Sequence, residues 1–266
     1  MNRLVKRMRQ PKSLVVYLTI GDPSIGETPD LIAACVRGGA DVIELGIPFS
    51  DPSADGVVIQ HAMERALGSG GASPDTIAKS LEIVRTVRRQ INIPIVLFGY
   101  FNPILQRGLM RVATEAASAG ADGFLLVDLP PEESSDFDDA LGVNGLVRVP
   151  LLAPNTTPDR ARVLCKRGGG FAYYVALNGV TGAATLDVAQ VAHKIAPLKV
   201  AIGDLPLGVG FGVRSAKDVS ALNALSEVSA VVVGSALIKA IAEAPDREAR
   251  IARAESFVRD LKSGIR

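Results

Sequence analysis

Tryptophan is absent from the 266 residues, and cysteine and histidine occur only twice each. Cys35 and Cys165 lie far apart, each in a helix-like segment and neither in a C-x-x-C pair, so they read as buried, reduced thiols rather than a metal or redox motif. His61 and His193 are just as widely separated on surface-type helices, which leaves no ligand set for a dedicated metal site. An excess of either charge is also missing: 29 basic residues face 28 acidic ones, for a net charge of +1. The basic face that nucleic acid requires is therefore not expected. No apolar run approaches the ~20 residues needed to span a bilayer. The basic start, with Arg3, Lys6, Arg7, Arg9 and Lys12, has the look of a secretion signal. The apolar run that follows at 14–20 is short, however, and Gly21-Asp22-Pro23 stops it, so it is read as a strand and the chain is expected in the cytoplasm.

What is present is a regular alternation. A 48% hydrophobic share with 26 Gly and 16 Pro suits an α/β protein rich in short turns. Strand-like runs fall at 14–20, 41–45, 94–98, 123–127, 146–152, 171–175, 206–211 and 230–233. Helix-like segments fall between or after them, at 28–37, 57–67, 75–89, 109–119, 131–141, 157–166, 186–195, 215–224 and 237–242. Runs such as Phe124-Leu125-Leu126-Val127 and Ala230-Val231-Val232-Val233 are apolar throughout, the pattern of a parallel sheet buried on both faces. A weak echo recurs at 38–44, 119–125 and 168–173: helix end, glycine turn, buried strand. Eight strand–helix units favour a single (β/α)8 barrel over 1–266, with extra N-terminal and inserted helices; a doubly wound sheet is the alternative.

In a barrel, function belongs to the loops that follow the strands. The second of these is the most unusual. Glu44 stands in an apolar strand, where an acid must be paired, protonated or used. Asp51 and Asp55 follow on a loop stiffened by Pro48 and Pro52, and two acids in unlike settings suit a division of acid and base roles. Asp128 ends another strand, Glu132 and Glu133 suit the first turn of a helix, and Asn155, Thr156 and Thr157 include helix caps. Late in the chain, Val180-Thr181-Gly182, Gly210-Phe211-Gly212 and Gly234-Ser235 place glycine at or near strand ends, where backbone N–H groups can hold a phosphate. A phosphorylated small molecule is the expected substrate class.

The stretch Glu44-Leu45-Gly46-Ile47-Pro48-Phe49-Ser50-Asp51-Pro52-Ser53-Ala54-Asp55-Gly56 resembles the signature of the tryptophan synthase alpha chain family. So do Gly21-Asp22-Pro23, Val58-Ile59-Gln60, Asn102-Pro103-Ile104-Leu105, the run from Asp128 to Glu133, Gly179-Val180-Thr181-Gly182, Gly210-Phe211-Gly212 and Gly234-Ser235-Ala236, in the family's order. The resemblance implies a retro-aldol cleavage of indole-3-glycerol phosphate to indole and glyceraldehyde 3-phosphate, with no metal or organic cofactor. It implies Glu44 as the acid toward indole C3 and the base toward the side-chain hydroxyl, with Asp55 receiving the indole N–H. Tyr100 would line the indole pocket and Tyr173 would be an active-site tyrosine. Gly182, Gly212, Gly234 and Ser235 would form the phosphate cradle, and Thr181 would sit on a closing lid. The implied partner is a beta chain carrying pyridoxal phosphate, in an alpha2-beta2 heterotetramer through which indole is channelled, with contacts at 102–107 and 128–134.

The residues also leave simpler readings open: Tyr173 as core packing, Thr181 as a turn residue. The sequence departs from the family at Ala176 and Leu177, where Ser and often Arg stand, which bears on the lid and its coupling to a partner. Residues 199–207 read as a lengthened approach to the seventh strand, and Arg214 as an added charge near a phosphate. A stand-alone lyase and a non-catalytic, ligand-binding activator of a beta chain are the alternative functions.

Overall fold

The computed structural model describes residues 1–68, 75–176, 187–210 and 212–265. Nine parallel strand segments form one sheet: β1 (Ser13–Thr19), β2 (Val42–Gly46), β3 (Ile95–Gly99), β4 (Gly123–Leu126), β5 (Val147–Arg148), β6 (Leu151–Leu152), β7 (Ala172–Val175), β8 (Leu207–Gly210) and β9 (Ala230–Val233). β1 pairs with both β2 and β9, and the order runs β5-β4-β3-β2-β1-β9-β8-β7-β6. β5 and β6 are two halves of the expected fifth strand, divided at Val149-Pro150. Proline has no N–H for the ladder, yet hydrogen bonds continue through the break: Val149 N–H donates to the Phe124 carbonyl at 2.8 Å, and Tyr173 N–H donates to the Pro150 carbonyl at 2.8 Å. The sheet thus closes on itself as an eight-stranded barrel, as the alternation predicts. The strands of the first half are buried along their whole length, β2 included, although β2 carries Glu44.

Helices wrap the outside. α1 (Arg3–Met8) covers the N-terminal end of the barrel with Leu4 and Met8 buried. α2 (Thr28–Gly38) and α6 (Leu109–Ala119) end on glycines with φ of +104° and +96°, at Gly39 and Gly120, so the echo is a true helix cap at two of its three sites. At the third, α8 (Pro158–Cys165) ends on right-handed Lys166 instead. α3 (Val57–Ala66) and α4 (Thr76–Arg88) both follow β2, and α5 (Phe101–Arg107) precedes α6 after β3. The remaining helices are α7 (Ser135–Val143), α9 (Val188–Ile202), α10 (Ala216–Asn223), α11 (Ser235–Ala242) and α12 (Arg247–Lys262).

Several expectations are corrected. α7 begins at Ser135, so Glu132 and Glu133 precede it, and Glu132 pairs with Arg160 rather than serving a helix dipole. α9 does not stop near 195: its buried residues Val191, Ile195 and Leu198 continue one apolar face past Pro197, so the first part of the lengthened approach to the seventh strand, residues 199–202, is helix, and a turn at 203–205 leads into β8. α5 and α12 have no counterpart in the sequence reading. Cys35 is buried, but Cys165 is only partly so. No helix among the described residues is long and apolar enough to cross a membrane.

Candidate active site

A cavity of 290 Å³ opens at the C-terminal ends of the strands. Glu44 and Asp55 share its wall with Tyr17, Phe98, Tyr173 and Ser235. Glu44 reaches it because β2 alternates: Glu44 and Gly46 face the barrel interior while Ile43 and Leu45 face the helices. Its side chain is 1% exposed, and Oε1 has no hydrogen-bond partner. Burial pushes its carboxyl up to about 8, so the acid is largely protonated at neutral pH. Asp55 is different. The Tyr100 hydroxyl donates to its Oδ2 at 2.7 Å, and the Gln60 amide donates to its backbone carbonyl at 2.8 Å. Burial raises its carboxyl, and the Tyr100 bond draws it back. Two acids therefore face one space with unlike partners, as the sequence suggested.

The tyrosines sit on glycines. Tyr17 is in register with Glu44, and Tyr173 with Gly208. Each ring leans across to the residue two places further along the neighbouring strand: a Cβ at Gly46 would lie 2.1 Å from the Tyr17 hydroxyl oxygen, and one at Gly210 would lie 2.4 Å from that of Tyr173. Gly210 is therefore a seat for an aromatic ring, and it does not itself line the cavity. Burial, followed by the nearby carboxylates, raises the Tyr173 phenol, and burial is also the main cause for Tyr17, so both stay protonated.

The far wall suits an anion. Gly234 precedes α11, and both Leu237 and Ile238 N–H bond back to its carbonyl, which leaves the amides of Ser235 and Ala236 without intrahelical acceptors. Gly212, with φ of +80°, lines the same space. No lysine or arginine lines it among the described residues. Phe98, Val127, Leu151, Val175 and Val232 supply apolar surface. The site thus offers room for an apolar ring, two carboxyls beside it, and backbone donors for an anionic tail. A larger groove of 690 Å³ lies at the opposite end of the barrel. Its Lys12 and Lys199 ammonium groups already donate to backbone carbonyls, at Leu225 and Val228 for the first and at Gly203 and Leu205 for the second.

With that geometry in view, comparison with known proteins is decisive: the family model of the tryptophan synthase alpha chain matches residues 4–266. The chain belongs to the tryptophan synthase alpha chain family. A tryptophan synthase alpha chain from Alkalilimnicola ehrlichii is 47% identical over 256 residues, covering 93% of this chain and 91% of the relative. One from Thioalkalivibrio sulfidiphilus is 49% identical over 233 residues, covering 87% and 85%. A crystal structure of the alpha chain from Legionella pneumophila subsp. pneumophila superposes with a TM-score of 0.86 at 34% identity, over 100% of this chain and 97% of that one. A chain from the tryptophan synthase a2b2 complex of Pyrococcus furiosus gives 0.83 at 36% identity, over 94% and 97%. Membership in the alpha chain family places the protein in tryptophan synthesis.

Of the residues expected for an alpha chain, the fold brings Glu44, Asp55, Tyr173, Gly212, Gly234 and Ser235 onto one cavity. Tyr100 does not line it but holds Asp55. Thr181 and Gly182 lie outside the described residues, as does Leu177 beside buried Ala176. Arg214 is exposed and does not line the cavity; its N–H donates to Asp218. Asp128 accepts the Phe101 N–H, and Thr157 caps α8 as expected. The sequence reading missed Tyr17, Gln60 and Gly46. Tyr17 had one available signal, the alternation Ser13, Val15, Tyr17, Thr19 along β1.

Proposed function

We propose that the chain cleaves indole-3-glycerol phosphate to indole and glyceraldehyde 3-phosphate. The observation that carries this reading is Glu44: an acid 1% exposed, with Oε1 unpartnered, on the same cavity as the separately held Asp55. Glu44 delivers its proton to C3 of the indole ring, turning the ring into an electron acceptor. Asp55 accepts the ring N–H and stabilises the positive charge that develops there. The side-chain hydroxyl then gives up its proton to Glu44, its O–H electrons form the aldehyde, and the breaking C–C bond returns its pair to the ring. Tyr173 packs beside the ring. Gly212 and the Gly234-Ser235 amides hold the phosphate, joined by Gly182, while Thr181 closes over the site. The reaction so written needs no metal or organic cofactor.

Alpha chains of solved a2b2 complexes support a beta-chain partner. We assign pyridoxal phosphate to that partner, the contact surface to 102–107 and 128–134, the whole chain to one barrel domain, and the site of action to the cytoplasm. The test is indole release from indole-3-glycerol phosphate by the purified chain, with and without a beta chain, beside Glu44→Gln. Release that rises with the partner and vanishes in the variant supports the proposal. Equal turnover alone and in complex favours a stand-alone lyase, and saturable binding without release favours a ligand-binding activator.

A further inference from the structure

Gly21-Asp22-Pro23 lies on the catalytic face of the barrel, yet it does not line the cavity. Asp22 is nevertheless buried, its side chain only 3% exposed. Both of its oxygens are taken by one guanidinium: Arg65 Nε donates to Oδ1 at 2.8 Å and Nη2 to Oδ2 at 2.9 Å. Such a two-pronged bond fixes orientation as well as distance. Beside it, Gly21 has φ of +86°, and a Cβ there would lie 3.3 Å from the Ala66 Cβ. The first loop therefore grips the last turn of α3 in two ways, through Arg65 and through Ala66.

The opposite end of α3 carries the chemistry. Its first residue is Val57, two positions after Asp55, and its N-cap, Gly56, has no side chain to anchor that end. Gln60, one turn in, donates to the Asp55 carbonyl at 2.8 Å and to that of Pro52 at 3.5 Å. A helix of 10 residues is a rigid rod about 15 Å long. A rotation at the Arg65 end is thus carried to the Asp55 loop. The first loop is itself fixed to α12, where Arg250 makes a second two-pronged bond to Glu27 at 2.8 and 3.0 Å.

We propose that Asp22 and Arg65 are positioning residues for Asp55, acting through α3. The inference rests on the proposed lyase reading, and it assigns neither residue a contact with substrate. A displacement of a reacting group by about 1 Å costs on the order of 100-fold in rate, so loss of the clasp is read in turnover rather than in affinity.

The experiment measures indole release by the complete chain with its beta chain, for wild type, Arg65→Met, Asp22→Asn and Arg65→Lys, each also carrying Asp55→Asn. Arg65→Met and Asp22→Asn are expected to lower kcat roughly 10- to 100-fold with KM within about twofold. Arg65→Lys, which keeps the charge but loses the fork, recovers part of the loss. In the Asp55→Asn background the same changes add nothing further, because coupled sites are not additive. Amide hydrogen exchange of wild type and Arg65→Met supplies a readout independent of turnover, with faster exchange expected at 54–60 and unchanged exchange in β2. A lower melting temperature with unchanged kcat, or a full additional loss in the Asp55→Asn background, overturns the proposal. So does unchanged exchange at 54–60. Absence of release by wild type itself brings down the lyase reading, and exchange then still decides whether the clasp reaches the Asp55 loop.

Discussion

The Tyr100 hydroxyl lies between two groups of the loop after β2: it donates to Asp55 Oδ2 at 2.7 Å and accepts the Ala54 N–H at 3.0 Å. Its ring stacks on Phe49 of the same loop, centroids 4.9 Å apart. Tyr100 therefore belongs to the positioning of the carboxylate. Tyr100→Phe keeps the stack and removes both hydrogen bonds. A hydrogen bond to a charged group contributes about 1.5–3 kcal/mol, so indole release is expected to fall at least about tenfold, mainly in kcat. Steady-state kinetics of Tyr100→Phe beside Asp55→Asn checks this, and a rise in KM alone would return Tyr100 to the pocket wall.

Glu44 makes stability depend on pH in a definite direction. Its ordinary value is 4.5, and burial raises it to about 8 in the folded chain. Below 4.5 both states are protonated and the group adds no pH dependence. Between 4.5 and about 8 the unfolded chain loses the proton that the folded chain keeps. Stability then drops by up to about 1.4 kcal/mol per pH unit from this residue, and it levels off above that window. Glu44→Gln cannot ionise, so its stability advantage over wild type should widen from pH 5 to pH 8 and then stay constant. Urea unfolding of both proteins at pH 5 to 9 measures the difference; a gap that does not change with pH contradicts the raised value.

Two glycines of the barrel interior are expected to tolerate no side chain. Gly46→Ala places a Cβ 2.1 Å from the Tyr17 hydroxyl oxygen, and Gly210→Ala places one 2.4 Å from that of Tyr173. Each forces a cavity-lining ring to move, at a cost of about 1–3 kcal/mol or more. Gly142, inside α7 with nothing within 4 Å of an added Cβ, is the control. Gly142→Ala should stabilise by about 0.5–1 kcal/mol through helix propensity. Thermal melts of the three variants test the contrast, and indole release should fall only in the first two.

Glu44 was legible in the sequence because a charge inside an apolar strand has few comfortable explanations. Tyr17 was harder to see, because β1 is buried along its whole length and only the faint alternation of Ser13, Tyr17 and Thr19 with Leu14, Val16 and Leu18 marks its inward side. Gly210 and Gly212 look alike in sequence, and only the neighbouring strand shows that one seats Tyr173 while the other lines the cavity. α12 escaped notice because its buried residues are only Ala254, Val258 and Leu261 among many charges. It packs on α2 so closely that a Cβ at Gly38 would lie 2.7 Å from the Glu255 carbonyl oxygen. The Asp22 clasp was hidden for a different reason: its partner is 43 residues away. Periodicity reports an element's own faces, whereas a pairing between elements appears only once they are packed.

The same reasoning applies to a buried ion pair beneath the loop after β4. Arg148 on β5 and Asp138 on α7 have side chains only 5% and 3% exposed. Arg148 Nε donates to Asp138 Oδ1 at 2.6 Å and Nη2 to Oδ2 at 3.1 Å, while the Ser134 hydroxyl donates to Asp138 Oδ2 at 2.7 Å. Arg148→Met leaves the aspartate buried with its main cation gone, since Arg167 approaches Asp138 only to 3.8 Å. Breaking one side of such a pair costs about 3–5 kcal/mol, whereas replacing both partners by apolar residues of similar volume is often neutral or better. Arg148→Met should therefore lower the midpoint of urea unfolding markedly, and Arg148→Met with Asp138→Leu should restore most of it. Because Ser134 ends the surface proposed to meet the beta chain, the single variant should also weaken activation by the partner more than turnover of the isolated chain. Equal losses in both would limit the ion pair to holding α7 on the barrel.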